Sequence, residues 1–264
     1  MAEKLFVAQS VEDAVEAKNK DNVYIAGGTE TMRLGTSVKA DSFVSLRKIP
    51  AMHEIRVSDT TISIGAACTF QELLDSNSVP AYLKEALLFM ASRTRRNMAT
   101  IGGNIALCRD DSFLVPTLLA AGAKLNLIEG LGATKTLGLE EYIAGKNQYA
   151  DALILSVLLP IRAAVRSVRS ANTAQSHARI TASLGLSDGK YYAVAAIKNY
   201  GLVKFGNLMA KFSEDVDLSE DEIVERLKND SKIALEDDLL YGGAAYRKYL
   251  LGITFAQMYK ELKG

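Results

Sequence analysis

Two short stretches carry residue types that can hold an anion. The first is Ile25-Ala26-Gly27-Gly28-Thr29-Glu30-Thr31, and the second is Ala99-Thr100-Ile101-Gly102-Gly103-Asn104-Ile105-Ala106. Each places a Gly pair beside a small hydroxyl residue, where an apolar run stops or starts. Glycine has no Cβ and tolerates positive φ, so such a loop exposes consecutive backbone N–H groups. A nest of N–H groups holds anionic oxygens. Two such loops, 75 positions apart from Gly27 to Gly102, can clamp a diphosphate from both sides. Ordinary tight turns are the other reading of the same residues. Neither stretch fits Gly-x-Gly-x-x-Gly, and neither ends in the Gly-Lys-Ser/Thr of a P-loop. Gly130-Leu131-Gly132-Ala133-Thr134-Lys135-Thr136 is P-loop-like in composition only and is expected as a surface loop.

Other chemistries lack their residues. Cys68 and Cys108 are the only cysteines, too few for a four-thiolate iron–sulfur cluster or a Cys₄ zinc site. They read as two reduced thiols. His53 and His177 are isolated, without metal-ligand spacing, and neither lies near a Gly pair in the sequence. Lys+Arg and Asp+Glu both number 31, so neither a nucleic-acid partner nor a charged membrane surface is expected. No apolar run approaches the roughly 18 residues of a membrane span. Met1-Ala2-Glu3-Lys4 opens no signal-peptide core, and a cytoplasmic location is expected.

The two motifs in this order resemble the FAD-binding (medium) subunit of the molybdenum hydroxylases, the xanthine dehydrogenase family. The resemblance runs through Ala26-Gly27-Gly28-Thr29-Glu30 and Arg95-Arg96-Asn97-Met98-Ala99-Thr100-Ile101-Gly102-Gly103-Asn104. It continues through Ser45-Leu46-Arg47-Lys48-Ile49-Pro50, Ile64-Gly65-Ala66, Pro116-Thr117-Leu118-Leu119-Ala120, Leu155-Ser156-Val157 and Ala245-Tyr246-Arg247-Lys248-Tyr249, and so covers nearly the whole chain. It implies that Ala26, Gly27, Gly28, Thr29, Glu30 and Thr31, with Thr100, Gly102, Gly103 and Asn104, hold the diphosphate and ribityl chain of a non-covalent FAD. Leu155 matches a residue that packs near the flavin or adenine. Arg169 stands where relatives often place a Lys at the flavin's polar edge; a strand-surface charge is the other reading. Where relatives carry an adenosine-contacting Asp after Gly-Gly-Asn, this chain has Phe113, with Asp110 or Asp111 as substitutes.

By the same resemblance, the chain is an electron-transfer subunit of an oxidoreductase. Partner chains are implied to carry the molybdenum cofactor and [2Fe–2S] clusters, and NAD is one acceptor. No catalytic side chain and no metal are implied on this chain. A stand-alone flavoprotein of the same FAD-binding superfamily is the alternative.

The elements that must position these residues read as an α+β chain of three parts. Residues 1–52 are expected as a small β-α-β unit: a strand over residues 4–9, a helix from the Ser10–Asp13 capping box to near Lys20, a strand over 23–26, and a strand from Val38 to Leu46. Residues 53–160 are expected as a larger α/β unit and the second part of the FAD-binding region. Thr61–Ala66 alternates as a half-buried strand. Thr69 caps a short helix, and Pro80 starts another with Leu83, Ala86, Leu87 and Met90 on one face. Arg93, Arg95 and Arg96 follow at its C-terminal end, suited to the helix dipole or to an anionic cofactor or partner. Leu114–Ala121 and 137–143 read as helices, with strands at 124–128 and 152–159. Residues 161–264 are expected as an antiparallel sheet with helices: strands at 167–170, 180–187 and 191–198, a helix from the Ser219–Glu222 capping box, and a last helix over 243–262.

Overall fold

The computed structural model describes residues 4–36, 38, 40–109, 112–173, 176–214 and 217–264. Among these are three sheets and ten α-helices. The chain divides into two compact units: Met1–Pro80, Met90–Cys108 and Ala123–Ile161 form the first, and Ala81–Phe89, Arg109–Gly122 and Arg162–Gly264 the second.

The first unit starts with β1 (Lys4–Val7), α1 (Val11–Ala17), β2 (Asn22–Ile25) and β3 (Ser42–Ser45). Its strands form a parallel sheet in the order β1-β3-β2. The Ser10 hydroxyl accepts from the Asp13 amide at 3.0 Å and the Asp13 carboxylate accepts from the Ser10 amide at 3.2 Å, the expected capping box. Helix α1 ends at Ala17, before Lys20, because side chains take over the backbone. Asn22 donates to the Ala17 carbonyl at 2.8 Å and accepts from the Asn19 amide at 3.1 Å, bonds that compete with the helical ladder.

A 3₁₀ turn, Pro50–His53, leads into the second sheet. That sheet comprises β4 (Ile55–Val57), β5 (Thr61–Gly65), β6 (Lys124–Ile128), β7 (Lys135–Gly138) and β8 (Leu153–Pro160). It is antiparallel throughout, in the order β4-β5-β8-β6-β7. Helix α2 (Phe70–Asp75) begins at Thr69, whose hydroxyl accepts from the Glu72 amide while Glu72 accepts from the Thr69 amide at 2.6 Å. The next helix, α3 (Ala81–Leu88), follows Pro80 as expected, buries Leu83, Ala86 and Leu87, and belongs to the second unit.

The arginines do not close α3. They form their own short helix, α4 (Arg93–Arg96), followed by α5 (Ile101–Leu107). Helix α6 (Leu114–Ala120) belongs to the second unit, and α7 (Leu139–Ala144) returns to the first.

In the second unit, β9 (Ala164–Ser170), β10 (Ile180–Ser187), β11 (Lys190–Ile197) and β12 (Gly201–Lys204) form an antiparallel sheet ordered β12-β11-β10-β9. Strand β10 is buried on both faces, and its alternation separates two jobs. Ile180, Ala182 and Leu184 enter a core with α8 (Gly206–Phe212), α9 (Glu220–Lys228) and α10 (Ala244–Lys263). Phe205 meets Phe255 edge-on at 5.0 Å, and Phe212 stacks on Tyr259 at 4.2 Å. Each large apolar side chain buried there contributes about 1.5–3 kcal/mol. On the other face, a Cβ on Gly185 would stand 1.9 Å from the Ala120 carbonyl oxygen, so α6 rests directly on the sheet. A buried hydroxyl chain, Thr117–Ser167–Ser183 at 2.8 Å per link, runs on this face, where the buried Thr181 hydroxyl has no hydrogen-bond partner among the described residues. The Ser219–Glu222 capping box starts α9 as expected. Strand β12 and helix α8 were not legible in the sequence, being short and opened by Gly201 and Gly206.

Candidate functional site

The first glycine motif leaves β2 at Ile25 and turns sharply. Gly28 takes φ +71°, and the Gly28 and Glu30 carbonyls accept from the Met32 and Arg33 amides at 3.0 and 3.1 Å. The loop is half-buried throughout. The amides of Gly27, Gly28, Thr29 and Thr31 donate to no other group among the described residues. The Thr31 hydroxyl is buried with no hydrogen-bond partner among the described residues. A buried hydroxyl is normally satisfied, and this one, beside a row of uncommitted amides, suits an anionic, acceptor-rich ligand.

The second motif differs from the exposed loop expected of it. Gly102 and Gly103 lie in the first turn of α5, and Thr100 is its N-cap. The amides there are already committed. Ile101 donates to the Cys68 carbonyl at 3.1 Å, Gly102 to Ala66 at 2.9 Å, Gly103 to the Thr100 hydroxyl at 3.2 Å and Asn104 to the Thr100 carbonyl at 3.1 Å. These glycines serve close approach instead. A Cβ on Gly102 would lie 2.6 Å from the Ala66 Cβ, and one on Gly103 2.8 Å from the Thr100 hydroxyl oxygen. The motif is a rigid wall, stitched to residues 66–70 by these bonds and by the Phe70 amide on Ala99 at 2.9 Å.

The two motifs meet. Gly27 packs so tightly on the turn before Thr100 that a Cβ would stand 1.8 Å from the Met98 carbonyl oxygen. Leu155 joins from the other side: its carbonyl accepts from the Ala66 amide at 2.9 Å. It is the residue skipped where the β6–β8 register shifts, Asn126 facing Ser156 and Leu127 facing Ile154. A bulge of this kind re-aims a side chain. Arg169 lies on β9 in the second unit, where its guanidinium donates to the Ser176 and Thr173 carbonyls.

Beside Gly27 and Thr100 a cleft of about 350 Å³ opens within the first unit. Its lining includes Arg47, His53, Gln71, Glu72, Asp75 and Asn97, none of which stood out by local spacing. His53, far in sequence from both Gly pairs, is brought to them. Its Nε2 lies 3.1 Å from the Arg47 carbonyl and its Nδ1 3.9 Å from the Glu72 carboxylate. Because a carbonyl only accepts, the Arg47 contact places a proton on Nε2. Behind the wall, burial and then the Glu72 carboxylate push the Cys68 thiol up to about 12, so it stays neutral. Burial and then the Asp151 carboxylate push the Tyr24 phenol on β2 up to about 12.

At the position of the relatives' Asp this chain has the apolar Phe113. It is buried in the second unit with its ring centroid 5.5 Å from that of Phe89. Asp110 and Asp111, the expected substitutes, lie outside the described residues. Of the Gly130–Thr136 stretch, residues 130–134 lie in the turn between β6 and β7, and Lys135 and Thr136 begin β7. Among the described residues there is no cluster of His, Cys, Asp and Glu able to hold a metal. Among them, too, no helix is long and apolar enough to cross a membrane.

Residues 1–162 match the family described as "FAD binding domain in molybdopterin dehydrogenase". The chain is 29% identical over 271 residues to YgfM of Escherichia coli K12, covering 99% of this chain and 96% of that one. It is 32% identical over 127 residues to the xanthine dehydrogenase/oxidase of Gallus gallus, a match spanning 42% of this chain and 9% of that protein. Its fold matches quinoline 2-oxidoreductase from Pseudomonas putida 86 with a TM-score of 0.82 at 18% identity, covering 98% of this chain and 95% of that one. It also matches CO dehydrogenase from Oligotropha carboxidovorans with a TM-score of 0.82 at 22% identity, covering 97% and 96%. The chain belongs to the molybdopterin dehydrogenase FAD-binding family, as an FAD-binding subunit of a molybdenum hydroxylase-type oxidoreductase.

Proposed function

We propose that this chain carries a non-covalent FAD and relays electrons between [2Fe–2S] clusters on one partner chain and NAD or another acceptor. In this reading a further partner holds the molybdenum cofactor and oxidises the substrate, and the complex works in the cytoplasm. The three-part division at residues 52 and 160 belongs to the same proposal.

The observation that carries the reading is the loop Ala26–Thr31. Its four uncommitted amides and buried Thr31 hydroxyl are donors with no acceptor among the described residues, and Gly27 holds the loop against the Met98 backbone. A diphosphate supplies acceptors for such donors. Thr100, Gly102, Gly103 and Asn104 contribute as the wall that keeps the loop in place. Leu155 offers an apolar contact to a ring of the cofactor, and Arg169 a cation near the flavin's polar edge. FAD, when bound, takes electrons singly and yields them in pairs, which joins a one-electron donor to a two-electron acceptor. The protein's task is then binding, orientation and exclusion of water.

The test is the absorption spectrum of the purified chain, followed by that of the supernatant after acid precipitation. Flavin bands in the supernatant are expected. Flavin remaining in the precipitate would point to a covalent link, for which His53 is the histidine within the cleft. No flavin even after FAD addition would overturn the reading. Flavin-loaded protein turning over a substrate without partner chains would favour a stand-alone flavoprotein.

A further inference from the structure

The three arginines after α3 do not serve its dipole. A helix C-terminus favours cations, but α3 ends at Leu88 and Arg93–Arg96 form the separate helix α4. One of the three has a structural task. Arg96 turns inward, its Nε donating to the Gln71 Oε1 at 3.3 Å and its Nη1 to the Ala91 carbonyl at 2.9 Å, which fixes α4 against α2. Arg93 and Arg95 stay exposed, and neither guanidinium has a partner among the described residues. Helix α4 itself contains no acid. The acids of neighbouring α2 accept from other donors: Glu72 from the Thr69 amide at 2.6 Å, Asp75 from the Gln71 side chain at 2.9 Å. The turn after α4 adds an apolar group, Met98, which is 43% exposed. Its backbone is the surface that Gly27 packs on, so this patch adjoins the first glycine loop.

We infer that Arg93, Arg95 and Met98 form a docking contact for an acidic face of the [2Fe–2S] chain that exchanges electrons with the cofactor. This role rests on the relay reading above for the identity of the partner. Two observations favour a protein face over a small anion. Arg93 and Arg95 stand on an exposed helix, outside the lining of the cleft beside Gly27, whereas a small anion needs donors that converge on it. Arginine and methionine are also residues that protein interfaces favour, as an apolar centre with a polar rim. Single-electron exchange weakens steeply with distance, so a donor chain must dock near the cofactor loop, which this patch adjoins. The arginines steer the encounter and set its register, and the methionine supplies the apolar centre.

The experiment isolates the tagged full chain from its own host with the [2Fe–2S] chain bound to it, separates the two, and measures their reassociation at rising salt. The variants are Arg93→Glu/Arg95→Glu, Arg93→Lys/Arg95→Lys and Met98→Ser, each checked for fold by circular dichroism and for flavin-to-protein ratio. The Glu pair is expected to associate roughly tenfold or more slowly than wild type at low salt, with the difference shrinking as salt screens the charges. Its flavin content is expected to be unchanged. The Lys pair is expected to stay close to wild type, and Met98→Ser to dissociate faster with the wild-type salt dependence. A Glu pair that associates like wild type overturns the docking role and leaves the relay reading standing. A Lys pair as slow as the Glu pair overturns steering by charge. A Glu pair that loses its flavin assigns the arginines to the cofactor and overturns the docking role as well. A flavin-bearing wild-type chain that holds no [2Fe–2S] chain overturns the relay reading, and the docking role with it. If the Glu pair does not fold, Arg93→Gln/Arg95→Gln decides by the same outcomes.

Discussion

Gly27→Ala separates the role of close approach from that of backbone freedom. Gly27 does not take a positive φ, so alanine suits its conformation; what alanine lacks there is room. Its Cβ would stand 1.8 Å from the Met98 carbonyl oxygen and 2.7 Å from the carbonyl carbon. Reaching even the 3.0 Å below which Cβ contacts are essentially never seen requires the loop to retreat by 1.2 Å, since both parties are backbone. A 1.2 Å retreat stretches an N–H···O bond of about 2.9 Å to about 4.1 Å, which is no hydrogen bond. Each lost bond to a charged oxygen removes about 1.5–3 kcal/mol, so two of them weaken FAD by more than about a hundredfold. Overpacking adds a stability cost of about 1–3 kcal/mol. Gly28→Ala and Gly35→Ala are the controls. Both glycines take φ +71° with no close contact, so each substitution costs about 1–2 kcal/mol of left-handed strain without pushing the loop off its wall. The assay is flavin-to-protein ratio with a fluorescence titration, beside thermal unfolding. A folded Gly27→Ala protein that holds FAD within about threefold of wild type would refute the argument.

Other perturbations follow from the same geometry. Thr100→Ala removes the N-cap of α5 and is expected to cost about 1 kcal/mol in denaturant unfolding, with Thr100→Ser close to wild type; equal losses in both variants would mean the cap is not the reason. Cys68 should resist alkylation in the folded chain while half-buried Cys108 reacts, and labelling of both at one rate would contradict the burial described. Because burial raises the Cys68 value in the fold, its contribution to stability is whole below the unfolded thiol value and drains away as pH rises toward about 12. Asp238 is held below its usual range by the Asn199 side chain and then by the Leu240 and Tyr241 amides. That contribution is present above the unfolded carboxylate value and lost as pH falls through the folded one. Asn199→Ala should therefore destabilise most at neutral pH, with the gap to wild type narrowing in acid to the pH-independent cost of alanine at φ +61°; a gap that stays constant across an acid titration would argue against it.

Much of the local structure was legible because its causes are local. The Ser10, Thr69 and Ser219 caps each depend on a partner three residues on, and all three helices begin where those residues place them. The alternation of Thr61–Ala66 and the apolar face of α3 are likewise short-range signals. Expectations failed where side chains reached into the backbone or where donors were claimed from afar. Asn22 ended α1 early, and Met90 and the arginines fell outside α3.

The sequence by itself determined which residues can serve an anion: two Gly pairs with hydroxyl neighbours, in the order the family shows. Tertiary structure alone decided which of them has anything left to give. The amides of residues 101–104 are consumed by Ala66, Cys68 and Thr100, and those of Gly27, Gly28, Thr29 and Thr31 are not. The apposition of Gly27 to Met98, the arrival of His53 in the cleft and the bulge at Leu155 were decided in the same way. The reason is physical: a residue's type sets how many hydrogen bonds and how much space it can offer. Whether they are already spent depends on partners far along the chain, Met98 for Gly27 and Leu155 for Ala66, which packing brings together and no local window contains.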